Sequence, residues 1–112
     1  MEFPQDQIEE LRSLYGEVRR ADEGGFTFIL LTNVELPPGC TPVSSDLLLC
    51  PMPKDGYSSR LFFQQQIRSK TNRNWNGQIR ILDRNWCAFS WRMSTPPTRL
   101  AEMVSTHLQG LR

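Results

Sequence analysis

Apolar residues recur at helical spacing near both ends of the chain, and each run predicts an amphipathic helix. The apolar stripe of the first helix comprises Ile8, Leu11, Tyr15 and Val18. Asp6 followed by Glu9 has the spacing of a capping box at the start of this helix, and Gly24-Gly25 ends the segment. The stripe of the second helix comprises Leu100, Met103, Val104, Leu108 and Leu111. Thr95 is the predicted cap, with proline in the first turn.

Alternating apolar and polar residues between these helices predict strands. The clearest strand runs from Phe26 to Leu36 and is ended by Pro37-Pro38-Gly39, because proline cannot donate to a ladder. The alternation predicts further strands at Ser45–Cys50 and Arg60–Ile67, and a short one over Ile79, Ile81 and Leu82. Short links containing turn residues favour an antiparallel meander. The expected fold class is therefore α+β, with an N-terminal helix, a meander of about four strands and a C-terminal helix.

Length and composition narrow the class of protein. With 112 residues, 38% of them hydrophobic, the chain is expected to form a single domain over residues 1–112. A net charge of +1 gives no global attraction to nucleic acid or to an anionic membrane. The apolar runs are too short to span a bilayer, and the first residues lack the features of a signal peptide. We therefore expect a soluble protein of the cytoplasm.

The three cysteines, Cys40, Cys50 and Cys87, suggest neither a disulfide framework nor a metal centre. Their number is odd, their spacing is wide, and they form no Cys-x-x-Cys pair. Cys50 is predicted to be a core residue, whereas Cys40 lies in a Pro/Gly turn that favours exposure. The single histidine, His107, lies in the second predicted helix and is expected at its surface or in an interface. We expect no metal and no other cofactor.

Cys87 has two interpretations. A thiol is the side-chain nucleophile that needs least activation, and it forms thioesters readily. A free cysteine also behaves as a small hydrophobe, and here Trp86 and Phe89 flank it, so the residues alone favour a buried structural role. The nearest cation in the sequence is Arg84.

The polar stretch from Arg68 to Arg84 interleaves cations with Trp75, a composition that can contact nucleic acid through phosphates and stacked bases. The nearly neutral chain favours a solvated loop instead. Nucleic acid is therefore not the expected partner.

The order of these elements resembles that of ubiquitin-conjugating enzymes, in particular the bacterial ubiquitin-conjugating-like proteins encoded beside a ubiquitin-like protein, an activating enzyme and a metalloprotease. The resemblance covers roughly residues 26–111 and rests on several segments together. These are Leu36-Pro37-Pro38-Gly39, Ser45-Asp46-Leu47-Leu48-Leu49, Tyr57 with Leu61-Phe62-Phe63, Trp86-Cys87-Ala88-Phe89-Ser90-Trp91, and Arg99-Leu100 through His107-Leu108.

The resemblance implies a transferase in which Cys87 lies on a long loop after the meander and accepts the modifier's C-terminal carboxyl as a thioester. It implies three partners: a ubiquitin-like modifier, an activating enzyme docked on the polar face of Gln7–Arg19, and an acceptor protein. A role in defence against phage is implied by the resemblance alone.

The chain departs from the family pattern at three points. The His-Pro-Asn motif, whose asparagine stabilises the oxyanion, is missing, and Asn76 and Asn85 are the candidates to replace that asparagine. Tyr57 is followed by Ser58, where the family usually has proline, and one helix follows the cysteine where the family commonly has more. A non-catalytic module of the same fold, binding the modifier or its activating enzyme, is therefore the alternative to the transferase.

Overall fold

The computed structural model of the protein describes residues 3–91 and 96–112. These residues form two helices and six strands. The helices are α1 (Gln5–Tyr15) and α2 (Leu100–Gln109); the strands are β1 (Val18–Glu23), β2 (Phe26–Glu35), β3 (Ser44–Cys50), β4 (Arg60–Phe63), β5 (Trp75–Ile81) and β6 (Arg84–Phe89). The predicted α+β class, the helix near each end and the antiparallel sheet are confirmed.

The number of strands was underestimated, since the described residues hold six rather than about four. The segment predicted as the last turn of the first helix is the strand β1, because α1 ends at Gly16, whose φ of 89° is left-handed. The capping box is also wrong: α1 follows Pro4, and no side chain caps it. Thr95, the predicted cap of the second helix, lies outside the described residues, and α2 begins at Leu100.

All strand pairs in the sheet are antiparallel, in the order β1-β2-β3-β4-β6-β5. The first four strands form a meander, in which β2, β3 and β4 were predicted and β1 was not. After β4 the chain passes to the far edge, forms β5 there, and returns through a turn at Leu82-Asp83 so that β6 fills the place between β4 and β5. The predicted polar loop between the meander and the second helix is thus largely a hairpin, and β1 and β5 are the two edges.

Both helices pack on one face of the sheet, which we call the helix-bearing face. Leu11 of α1 and Val104 of α2 are fully buried there against alternate residues of the strands, among them Ile29, Leu49 and Phe63. This cluster is the larger of the two cores. It explains why both amphipathic stripes were recognisable in the sequence, since each helix buries one side and exposes the other.

The opposite side of the sheet, the helix-free face, carries a second apolar cluster. Phe28, Phe62 and Trp86 are its largest members, and each is at most 1% exposed. Partly buried side chains around them, including Met52 and Ile79, cover its margin. Strands β2, β3, β4 and β6 therefore bury apolar residues on both faces, which is why their sequences read as nearly continuous apolar runs.

Arg60 crosses the helix-free face from β4 toward β5. Its side chain is 6% exposed, its Nη1 atom lies 3.2 Å from the Asp55 carboxylate, and its guanidinium lies over the ring of Tyr57 at 4.5 Å. A Cβ atom on Gly77 of β5 would come within 2.7 Å of the Arg60 Nη2 atom. Gly77 pairs with Ala88 of β6, so two small residues side by side leave the space that the guanidinium occupies.

Candidate functional site around Cys87

The three cysteines differ in their access to solvent. Cys40 is 4% exposed and Cys50 is fully buried, and in each case burial raises the pKa of the thiol. The core position predicted for Cys50 is confirmed, while the exposure favoured for Cys40 is wrong. Cys87 is half-buried and is the cysteine whose side chain reaches the surface. If the chain has a reactive thiol, Cys87 is the residue best placed to supply it.

Cys87 lies in the middle of β6, paired with Phe63 of β4 on one side and Gln78 of β5 on the other. The loop that the resemblance implied at this position is therefore wrong: the cysteine is part of a continuous ladder. The reason is the hairpin of β5 and β6, whose polar residues are the exposed alternate positions of an edge strand rather than those of a loop.

The alternation of side chains along β6 determines which residues share a face of the sheet with the Cys87 thiol. Trp86 and Ala88 point to the helix-free face, so Asn85, Cys87 and Phe89 point to the helix-bearing face. Because Trp86 lies on the opposite side of the sheet, it does not cover the sulfur. Phe89 is one neighbour on the cysteine's own side, and the other is the exposed amide of Asn85.

The surface around Cys87 is a shallow depression lined by residues of the β5–β6 hairpin. Its lining comprises Gln78, Ile79, Arg80, Asn85, Trp86 and Cys87. The Asn85 Oδ1 atom accepts a hydrogen bond of 3.1 Å from Arg80, and Arg80 also donates to the carbonyl of Asp83 at 3.0 Å. These bonds fix the Asn85 amide on the face of β6 that carries the thiol, two positions before Cys87.

The two asparagines considered from the sequence are placed differently. Asn85 shares the face and the strand of Cys87, whereas Asn76 is the extra residue of a bulge between Trp75 and Gly77 and is exposed. The residue directly opposite Cys87 is Gln78, a side-chain amide that sequence reasoning missed. Recognising the two-residue turn at Leu82-Asp83 would have fixed the register of the hairpin and identified Gln78.

Arg84, the nearest cation in the sequence, acts elsewhere. It lies on the helix-free face with Trp86, and its guanidinium lies 4.6 Å from the centre of that ring. Its Nη2 atom donates to Asp46 at 2.9 Å, which joins β6 to β3. Arg84 is thus a structural contact and does not point at the thiol.

His107 is buried, so the surface position, one of the two considered for it, is wrong. It is 5% exposed, and its Nε2 atom lies 3.0 Å from the hydroxyl of Ser59. Burial, with the positive charge of Arg60 as a further cause, lowers the pKa of His107 to about 4. A neutral imidazole bonded to Ser59 is a structural element rather than a base for Cys87.

The polar stretch considered for nucleic-acid contact is partly engaged within the protein, through Arg73 and Trp75. Trp75 packs edge-on against Phe63 and Phe89, with ring centres 5.5 Å and 5.1 Å apart. Arg73 donates to the carbonyl of Gly110 and lies over Trp91. The ring that would stack on a base therefore packs against the larger core.

The residues of the polar face of Gln7–Arg19 lie in different environments: some contact the start of α2, and Arg19 lies in a strand. Glu10 lies 3.3 Å from Arg99, and the Gln7 side chain accepts from the backbone N–H of Leu100 at 3.0 Å, so both residues join α1 to the start of α2. Arg19 belongs to the edge strand β1 rather than to the helix. Glu9 and Arg12 are the exposed charges of α1 left on this face.

Comparison of the chain with family models, with curated proteins and with solved structures gives no match. Among the described residues, no helix is both long and apolar enough to cross a membrane.

Proposed function

We propose that the protein is a ubiquitin-conjugating-enzyme-like transferase that carries a ubiquitin-like modifier as a thioester on Cys87. The observation that carries this proposal is the exposure of the thiols: Cys87 reaches the surface, and Cys40 and Cys50 are sealed in the core. The order of an N-terminal helix, an antiparallel sheet and a C-terminal helix supports the proposal in outline, although Cys87 lies in the strand β6 rather than on a loop.

The chemistry consists of two acyl transfers. The Cys87 thiolate attacks the thioester carbonyl that links the modifier to its activating enzyme; a new C–S bond forms, the old C–S bond breaks, and the enzyme's sulfur leaves as a thiolate that takes up a proton. An acceptor amine then attacks the Cys87 thioester. A C–N bond forms, the C–S bond breaks, the Cys87 sulfur leaves as a thiolate, and the amine's proton is lost to solvent.

Side-chain amides are the donors available for the oxyanion in either step. The backbone of Cys87 lies in an inner strand, so its N–H group belongs to a ladder and cannot serve. Gln78, directly across the ladder, and Asn85, on the same face of β6, present amides near the thiol. We assign them the role that the missing asparagine has in the family.

A binding module of the same architecture is the second candidate, and the position of Arg84 favours it. A catalytic thiol is commonly activated by a nearby cation. Arg84, the nearest cation in the sequence, is held on the opposite face of the sheet by Asp46. Such a module would use the exposed charges of α1 or the hairpin surface to hold the modifier or its activating enzyme.

Acyl transfer to Cys87 tests the proposal directly. The protein is incubated with a Gly-Gly peptide thioester of mercaptoethanesulfonate, and intact mass is measured before and after hydroxylamine. We expect a single acyl adduct that hydroxylamine removes, that is absent in Cys87→Ala, and that persists in Cys40→Ala, the matched control.

Two further variants examine the oxyanion donors. We expect Gln78→Ala and Asn85→Ala to slow acylation about a hundredfold to a thousandfold, since removing one oxyanion donor has such an effect in other acyl transfers. An adduct that persists in Cys87→Ala would sink the assignment. Complete absence of an adduct in the folded wild type would favour the binding module.

A further inference from the structure

The edge strand β1 has a charge order that is its own complement. Its central residues are Arg19, Arg20, Ala21, Asp22 and Glu23: two cations, one small residue and two anions. One side of β1 is paired with β2, and no strand of the described residues pairs with the other side. An open edge presents backbone N–H and C=O groups to any strand that fits.

The turn between β1 and β2 fixes which of these groups point outward. Gly24 and Gly25 both have positive φ, as a two-residue hairpin turn requires, and Glu23 pairs with Phe26 at its end. Glu17 accepts a backbone hydrogen bond from Thr32 at the other end. Because antiparallel pairs alternate, the odd-numbered residues bond to β2, and Arg20 and Asp22 turn their backbone groups to the free side.

A second copy of β1, running antiparallel about a twofold axis through Ala21, satisfies this pattern. Arg20 then lies opposite Asp22 of the copy, and these are the two residues whose backbone groups face outward, so each pair exchanges two hydrogen bonds. Arg19 lies opposite Glu23 on the helix-free face. The small side chains of Ala21 meet on the axis, and each charge opposes one of the other sign.

Other registers do not have this match. An axis through Arg19, Arg20 or Asp22 would put two like charges directly opposite each other, which destabilises a strand pair. A register that pairs odd-numbered residues of one β1 with even-numbered residues of the other also fails. The outward backbone groups of one strand would then face residues whose backbone groups are already bonded to β2. The charges also disfavour pairing with an arbitrary strand, so the edge selects its own copy.

We propose that the protein associates through β1 with a second copy of itself, joining the two sheets about an axis at Ala21 with Arg20 paired to Asp22 and Arg19 paired to Glu23. Within one chain, Arg20 lies 3.6 Å from Asp22 and 5.6 Å from the centre of the Phe3 ring, and Arg19 lies 3.3 Å from Glu17. The ion pairs within the chain are exposed or partly exposed, so they contribute little on their own, and a pair across the axis can form beside the Phe3 contact. The inference is independent of the chemistry at Cys87.

The expected complex is weak, because pairing one six-residue strand buries less than the roughly 1,000 Å² usual for a stable interface. Sedimentation equilibrium over a range of protein concentration should show a monomer–dimer equilibrium. Added salt should shift it toward monomer, because exposed ion pairs are screened. A wild type that stays monomeric at the highest concentrations reached overturns the proposal.

Charge exchange tests the register. Arg20→Asp puts Asp opposite Asp, and Asp22→Arg puts Arg opposite Arg, so each variant alone should dimerise about tenfold or more weakly than wild type. An equimolar mixture of the two restores opposite charges in both pairs and should form a heterodimer, which native mass spectrometry identifies by its mass.

Arg68→Asp is the control for a general charge effect, since Arg68 is exposed and its contacts with Thr41 are made through the backbone. We expect it to dimerise as the wild type does, and equal weakening in this variant would overturn the proposal. The proposal is also overturned if neither Arg20→Asp nor Asp22→Arg weakens the dimer. It is overturned as well if the mixture of these two variants associates no better than each variant alone. Circular dichroism of each variant excludes unfolding as the cause.

Discussion

The Ser59 hydroxyl and the Nε2 atom of His107 lie 3.0 Å apart, which joins the residue before β4 to the last turn of α2. Both residues are buried, at 4% and 5% exposure. The ring of Trp91 lies edge-on to the imidazole, with ring centres 6.3 Å apart. A helix and the sheet are thus connected through a neutral histidine in a nearly dry environment.

This contact predicts a loss of stability in mild acid. The pKa of His107 in the folded protein, about 4, is lower than the ordinary histidine pKa of 6.5, so between these values the unfolded chain binds more protons than the folded one. The stability that a neutral His107 contributes is therefore complete above pH 6.5 and is lost as the pH falls toward 4. The loss is at most about 3 kcal/mol from this residue. Urea unfolding at several pH values measures it.

His107→Gln is the control for this pH dependence, because glutamine keeps a polar group near Ser59 but does not titrate. The free energy of unfolding of the variant should fall less than that of wild type between pH 6.5 and pH 4. The carboxylates titrate in both proteins, so the difference between the two curves isolates the histidine. Parallel curves would contradict the prediction.

Gly77→Ala should destabilise the fold, since the new methyl group would lie 2.7 Å from the Arg60 Nη2 atom and 3.0 Å from its central carbon. The guanidinium cannot move away without leaving Asp55 and Tyr57. We expect a cost of about 1–3 kcal/mol, typical of overpacking a buried site. Urea unfolding gives the value.

A double-mutant cycle identifies Arg60 as the cause. In an Arg60→Ala background the space over Gly77 is empty, so Gly77→Ala should cost clearly less than in wild type. Equal costs in both backgrounds would mean that the backbone of β5, rather than the arginine, requires glycine at this position.

Thiol labelling should distinguish Cys87 from the other two cysteines. A maleimide added to the native protein should modify one thiol quickly, and the same reagent in denaturant should modify all three, because Cys40 and Cys50 are buried with raised pKa values. Cys87→Ser should remove the fast reaction. Fast labelling that survives this substitution would assign the accessible thiol to another cysteine.

Asp46 should be more sensitive to substitution than a surface carboxylate. One of its oxygens accepts the backbone N–H of Asn33 at 2.8 Å, and the other accepts from Arg84 at 2.9 Å. Asp46→Ala loses both contacts and should cost about 1–3 kcal/mol. Asp46→Asn keeps an oxygen for Asn33 and should cost less. Chemical denaturation compares them, and equal costs would contradict the assigned role of the Asn33 contact.

The sequence predicted the helices and strands in which burial of apolar side chains leaves a regular spacing or a continuous apolar run. The stripes containing Leu11 and Val104 belong to helices that bury one face, and β2 and β3 have strongly apolar runs. The strand β1 was assigned to the helix because Val18 continues the helical spacing. Gly24 and Gly25, which follow this segment, can end a helix or form the turn of a hairpin. The local sequence therefore does not distinguish the two structures.

The elements around Cys87 were harder to predict because their order in the sheet depends on distant contacts. Strand β5 exposes Asn76, Gln78 and Arg80 along an edge, which gives a sequence as polar as a loop. The position of β6 between β4 and β5 follows from packing of Trp75 and Phe89 against Phe63. The contact between Ser59 and His107 joins residues that share no local pattern, so the burial of the histidine was not foreseen.

The strand order has a consequence for how the molecule opens. The hairpin of β5 and β6 holds itself together along its whole length, but in the part of the chain that the structure describes one ladder pair, Phe63 with Cys87, joins it to the meander. The side chains of Phe63 and Arg60 reinforce this narrow seam from either face. Trp86 and Phe89 of β6 are buried in the two cores, and Arg84 contacts Asp46 of β3, so opening of the hairpin would break side-chain packing on both faces as well as this pair. Cys87 lies on the seam itself, so a group attached to its thiol would lie where the hairpin joins the meander.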